Sequence, residues 1–353
     1  MIKAFHLQDL FSLADLQKQG ITLDLEERLV HPRSPLLSAL LASLLPIESS
    51  ASTYILDIAD EQEHYRGVIQ TRKRTGRPEQ DVVFIAPSLV HGNGSHAAWQ
   101  RLLTHVCVKA GEAGNQRIYA RLERDGDELQ IFKNVGFSAY AEEAIFRLPP
   151  AQFPEHAQDT LGLRKQTAAD SWSLQRLYAA VTPRTVQIAE GLAQGQWQLN
   201  QHWLSEQRHR VGYVWEREGE ILAVMHLHTG KLGHWLRLLV HPDVTDFVEE
   251  LVLSGLSLIK DIRVNPRRPI YGSLRTYQSE LAHALVACAF QQFTTQTVVV
   301  KHTTVRSEDF VTRLVAAFEG TVEVKRATPT TPYMNTEITQ TKPNGKVTAK
   351  GGI

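Results

Sequence analysis

The chain has 353 residues, and at roughly 150 residues per domain that length implies two domains with some sequence to spare. Hydrophobic residues make up 42% and charged residues 22%, which provides an ordinary core for each half and excludes wholesale disorder. Lys+Arg and Asp+Glu both count 38, so the basic excess typical of a dedicated nucleic-acid binder is absent. No apolar run approaches the ~18 residues needed to span a bilayer, and the longest, Leu36–Pro46, carries serines. The opening MIKAFHLQDL lacks the charged-then-apolar pattern of a signal peptide, and Cys107 and Cys288 lie far apart. A reducing cytoplasm, without a structural disulfide, is the expectation.

In chain order, a short strand (IKAFHL) is followed by Asp at a cap-like position and an amphipathic helix, DLFSLADLQKQ. Three alternating strand-like runs come next, Thr53–Ile58, Tyr65–Thr71 and Val82–Ala86. A helix over Ala97–Ala113 puts Trp99, Leu102, Leu103 and Val106 on one face. A strand (Arg117–Leu122), a helix (Glu128–Asn134) and a closing strand complete residues 1–149. Residues 150–160, within the proline-broken stretch LPPAQFPEHAQDT, read as a linker.

Residues 161–325 repeat the script. A strand (LGLRKQ) and a helix (DSWSLQRLYAAV) precede the runs Val211–Glu216, Ile221–Leu227 and Trp235–Val240. A helix over Asp246–Ile262, a strand at Ile270–Leu274, a helix over Glu280–Cys288 and a closing strand follow. The matching element order is an internal repeat of roughly 150 residues. A meander of strands entering a strand–helix–strand unit predicts an α/β protein with a mixed sheet flanked by helices in each half. Residues 326–353, rich in Thr, Pro and Gly, read as a flexible tail.

The stretch Ile85–Phe137 carries a family resemblance. It runs strand, Pro87, Gly-rich turn at His91–Ser95, helix, Gly114, strand, helix and the pair Gly136-Phe137. In that order it resembles the GNAT superfamily of acyl-CoA-dependent N-acetyltransferases, and the second half resembles it more weakly, through His241-Pro242 and Ala289-Phe290. The resemblance implies two tandem GNAT-like domains and acetyl-CoA or another acyl-CoA slotted between splayed central strands, without a metal. It implies that Ala86, Leu89, Val90, Gly92, Asn93, Gly94 and Ser95 line the cofactor, the turn holding the pyrophosphate on backbone amides at a helix start. The helix register places Val90 at the family's Arg/Gln position and Asn93 and Ser95 at two of its glycine positions, whereas a one-residue slide restores Gly92 and Gly94. In the second half, DVTDFVEELV offers Asp243, Asp246 and Glu249 where a phosphate would sit, and acids there suit the helix dipole by themselves.

Acyl transfer to an amine needs a route for the amine proton and is helped by an acid at the departing thiolate. The family's acid position, a Tyr four residues before Gly-Phe, is Phe132 here and Leu285 in the second half, and neither donates a proton. Tyr119, Tyr140, Tyr271 and Tyr277 are nearby in sequence but off that position, and packing is their commoner use. Glu63 and His64 sit in a strand–strand turn, where charge is ordinarily just solvated. His226, His228, His234 and His241 lie close together, with the first two on one strand face. They lack a second ligand pair of recognised spacing, so a polar face, or one base such as His228 over a cleft, is the reading rather than zinc. Glu63, His64, Tyr140 and His228 are thus the catalytic candidates. Two functions follow: acyl transfer from acyl-CoA to a small-molecule or peptide amine, or a non-catalytic ligand-binding or assembly scaffold on the same fold. Membrane and nucleic-acid partners are not expected, and oligomeric state is open.

Overall fold

In a computed structural model of the chain, residues 1–44, 51–59, 64–91, 95–154, 157–191, 197–199, 210–261 and 268–303 are described. The tail over 326–353 and the second half beyond residue 303 lie outside them. Each predicted strand trio forms an antiparallel meander, because alternating residues leave one face for the core and a short turn reverses the chain. In the first half these strands are β3 (Ala51–Ala59), β4 (His64–Lys73) and β5 (Glu79–Ala86), preceded by β1 (Ile2–Ala4) and β2 (Ile21–Thr22). In the second they are β9 (Arg210–Arg217), β10 (Glu220–Thr229) and β11 (His234–Val240), preceded by β8 (Arg164–Lys165). Each meander then runs parallel to one more strand, β5 to β6 (Arg117–Glu123) and β11 to β12 (Ile270–Arg275), through a helix as crossover. The closing strands are β7 (Ser138–Leu148) and β13 (Gln291–His302).

The order across the sheet is β1-β3-β4-β5-β6-β13-β7-β12-β11-β10-β9-β8, with β2 paired to β5. The halves are therefore mirrored in element order about the central β13–β7 pair, and their closing strands are exchanged. β13, from the second half, pairs with β6, and β7, from the first, pairs with β12. One sheet results, and Met1–Val305 forms a single compact unit.

The helices pack on this sheet. They are α1 (Leu10–Gln19), α2 (Leu25–Val30), α3 (Pro35–Leu44), α4 (Ser95–Glu112), α5 (Asp127–Asn134), α6 (Ser171–Val181), α7 (Arg184–Ala189), α8 (Val248–Asp261) and α9 (Ala282–Ala287). In the first half Trp99, Leu102, Leu103 and Val106 of α4 bury against Ile69, Ile85 and Ile118. In the second, Val248, Leu251, Val252 and Leu256 of α8 bury against Met225, Leu236 and Leu238. The face predicted for α4 is the buried one, whereas on α8 Leu253 and Leu258 are only half-buried and the core side runs through Leu251, Val252, Leu256 and Ile259. The short helices α2 and α7 have no counterpart among the predicted elements. The apolar run at Leu36–Pro46 supplies most of α3, and among the described residues no helix is long and apolar enough to cross a membrane.

The two α5- and α9-terminal turns show the repeat at residue level. Gly136 ends α5 at φ 90°, and the Phe137 amide donates to Phe132 O over 3.0 Å. Ala289 takes the same place after α9 at φ 65°, with the Phe290 amide donating to Leu285 O over 3.0 Å. Left-handed geometry costs an alanine about 1–2 kcal/mol, partly offset by the about 0.4–1 kcal/mol of unfolded-state entropy that a glycine adds. Ala289→Gly should therefore raise unfolding free energy by about 0.5–1 kcal/mol in urea titration. A destabilised variant would mean that the Ala289 methyl contributes more by packing than its backbone costs.

Candidate active site

In both halves the parallel central strands part company. β5 and β6 pair only at Glu79↔Arg117, Gln80↔Ile118 and Asp81↔Tyr119. β11 and β12 pair from His234↔Ile270 to Arg237↔Ser273 and no further. A strand has two edges, and β4 covers one edge of β5 as far as Val68↔Ala86. The other edge, which β6 leaves after Asp81, is taken by β2 through Ile21↔Ile85 and Thr22↔Phe84. The Leu23 amide donates to Val83 O over 3.0 Å, and the Ser88 amide to Gln19 O over 2.7 Å. This approach needs glycine at position 20, where an added Cβ would run into the Phe84 ring and sit 2.7 Å from the Ala86 Cβ. In the first half, then, the chain fills its own splay. In the second, β10 covers one edge of β11 up to Ala223↔Val240. Among the described residues no strand takes the other edge at Leu238–Val240.

Two straps cross between the halves. After β2, Asp24 caps α2 by accepting from the Glu27 amide at 3.3 Å, and α2 lies over the second half. There Glu26 meets Arg210 at 2.6 Å and His228 Nδ1 at 2.7 Å. Burial would raise the Glu26 carboxyl, but Arg210 and His228 hold it well below the usual carboxylate range. In return α7 reaches the first half, where the Tyr119 hydroxyl donates to Ala189 O at 3.1 Å.

Between the straps a buried polar seam runs under the second-half splay. Arg275, at the end of β12, places Nε 3.2 Å from Glu143 Oε1 and Nη2 3.4 Å from Glu190 Oε1. Glu143 also accepts from Gln296 Nε2 at 2.6 Å. Glu190 accepts from the Tyr178 and Tyr140 hydroxyls at 2.7 and 3.3 Å. Burial raises Glu143, yet Arg275 and Arg121 bring its net pKa below the ordinary value. Burial, and then the neighbouring Glu190 carboxylate, push the Tyr178 phenol up, while burial alone dominates the rise of Tyr277. Both phenols keep their protons at neutral pH. A cavity of about 20 Å³ opens here, lined by Glu143, Tyr178, Glu190, Arg237, Arg275 and Gln278, with Tyr277 beside them.

The sequence candidates are distributed unevenly around this geometry. Ala86 is buried at the end of β5, Leu89 packs on the first-half core, and Val90 is 89% exposed. Gly92, Asn93 and Gly94 lie outside the described residues; Ser95 opens α4, but its side chain is not described. Glu63 is likewise outside them, and His64 begins β4 without a described side chain. Tyr140 joins the seam through Glu190. His228 is buried against Glu26 under α2, away from the cavity. His226 and His241 are engaged separately. His226 Nε2 lies 2.9 Å from Gln166 Oε1, and burial, with Arg237 and Arg210, pushes its pKa down to about 3. His241 accepts from the Asp243 amide at 3.3 Å. Among the described residues no three His, Cys, Asp or Glu side chains are placed to hold a metal ion. After β11, Asp243 and Asp246 lie in a 3-10 turn (Pro242–Phe247) capped by His241 rather than by either aspartate, and Glu249 stands with Glu250 in the first turn of α8. Arg237, Arg275, Tyr178, Glu190 and Gln278 carry no motif or spacing that joins them in the sequence. An arginine inside the apolar run WLRLLV, and another closing IYGSLR, were the available signals, since a charge on a central strand is buried.

No protein-family model matches the chain, and no curated protein is similar to it in sequence. Solved structures are similar in fold. A tandem GNAT protein from the clavulanic acid biosynthesis pathway superposes with TM-score 0.51 at 11% identity, over 86% of this chain and 98% of its own. A GCN5-related N-acetyltransferase from Sphaerobacter thermophilus gives TM-score 0.50 at 11% identity, over 86% and 95%. With the splayed central strands, the repeated element order and these two likenesses, the chain has the tandem GNAT fold.

Proposed function

We propose that the chain transfers an acyl group from a thioester of the acetyl-CoA class to the amine of a small molecule, and that the second half does the work. The open edge of β11 at Leu238–Val240, whose first residue lines the polar cavity, carries this reading. A pantetheine arm has amide groups that pair with a free strand edge as an added strand would. The thioester carbon then lies over the seam, where an amine held in line attacks it. The C–S bond breaks as the C–N bond forms; the Tyr277 hydroxyl, which lines the cavity with its proton held by burial, protonates the departing thiolate, and the tyrosinate left behind takes the proton that the attacking amine nitrogen sheds. In the first half the same ligand finds Val83 O already used by the Leu23 amide, so β2 must leave before a thioester enters.

Glu249 and Glu250 at the α8 start oppose a pyrophosphate, so the arm rather than the nucleotide supplies affinity. Acetyl-CoA and S-acetyl pantetheine, which lacks the nucleotide, should bind with Kd values within about threefold of one another, less than 0.7 kcal/mol apart. Calorimetric titration of both reads this. A tenfold or larger loss without the nucleotide would relocate the site to a phosphate-gripping turn such as 91–95. Binding of neither thioester would leave the second reading, a non-catalytic ligand-binding scaffold, which the self-filled splay of the first half favours.

A further inference from the structure

Two donors that line the second-half cavity are left without a partner. Arg275 is 8% exposed and Gln278 3% exposed, and both line the cavity. Arg275 Nη1 and Gln278 Nε2 are buried with no hydrogen-bond partner. Arg237 lines the same cavity with its guanidinium 4.9 Å from the Trp197 ring centre. Among the described residues it makes no hydrogen bond or ion pair, and Glu143 and Glu26 act on it only at longer range. The carboxylates nearby are engaged elsewhere, Glu143 by Arg275 and Gln296, Glu190 by Tyr178, Tyr140 and Arg275. Unpaired buried donors are costly, and a partly buried guanidinium with no anion at hydrogen-bond distance adds to that cost.

We infer that this cavity is an oxyanion seat, built to take one carboxylate oxygen of the amine acceptor from Arg237, Arg275 Nη1 and Gln278 Nε2. A volume of about 20 Å³ has room for a single oxygen, with the rest of the ligand in the mouth between β11 and β12. The acceptor class is thereby an amine that also bears a carboxylate, an amino acid or a short peptide end. This assignment rests on the second half being the working half, but the seat itself needs no thioester to be filled.

The test uses the full chain and the simplest probes, acetate and its neutral isostere acetamide, followed by arginine side-chain ¹⁵N resonances. Acetate is expected to shift the Arg237 and Arg275 signals saturably, and acetamide is expected to shift them far less. Gln278→Leu, close in shape and free of an unpaired donor, should fold normally and weaken acetate binding by about tenfold, as the loss of one hydrogen bond to a charged group does. Absence of acetate-dependent shifts, or equal shifts from acetamide, would overturn the seat and leave the donors to water. Since no thioester is present, that failure is distinct from a failure of thioester binding, which the titrations of acetyl-CoA and S-acetyl pantetheine read separately.

Discussion

Arg275→Met should lower unfolding free energy by about 3–5 kcal/mol, the cost typical of removing one partner from a buried ion pair. The register sets Arg275 opposite Glu143 across the β12–β7 pair, and the same guanidinium reaches Glu190 on the α7 strap. Methionine fills the volume and leaves Glu143 and Glu190 buried with one cation fewer. Arg121, 3.8 Å from Glu143, compensates only in part. The double variant Arg275→Met/Glu143→Gln should recover a substantial share, because the amide carries no charge to strand. Urea titration with an unchanged m-value checks both. A loss below about 1 kcal/mol would place the seam in the range of solvated ion pairs.

Trp99→Ala should cost a similar about 3–5 kcal/mol, here through cavity formation. Trp99 is 0% exposed, meets Phe132 edge-on at 6.4 Å and donates its indole N–H to Pro87 O at 2.6 Å. It thus ties the end of β5 to α4 across the turn between them. Trp99→Phe keeps most of the ring and loses the donor, for about 1–3 kcal/mol including the stranded carbonyl. If thermal unfolding shows alanine and phenylalanine equally damaging, the hydrogen bond rather than the packing dominates.

The long elements were legible because their period shows which face is buried: the α4 face read from Trp99 to Val106 is the face that packs. Partner choice was not. β7 and β13 present strand-like patterns, and nothing in an alternating run states whose edge it will join, so the exchange of closing strands is a tertiary fact. β2 is two residues long, too short for any period, and what holds it is the missing side chain of Gly20 and the free edge of β5. The candidate site followed the same division. The acidic start of α8 was legible in DVTDFVEELV. The seam draws Glu143 from β7, Glu190 from the end of α7, Arg275 from β12 and Tyr178 from α6, and no sequence spacing joins them.

Amide hydrogen exchange of the full chain with and without acetyl-CoA reads both splays at once and so shows which half takes the thioester. Slower exchange is expected at Leu238–Val240 as the pantetheine arm pairs with the open edge of β11. No change is expected over residues 82–86 and 19–23, whose mutual hydrogen bonds persist. Faster exchange at residues 19–23 with protection of 82–86, and no change at 238–240, would show β2 displaced by ligand and would contradict the assignment of the work to the second half.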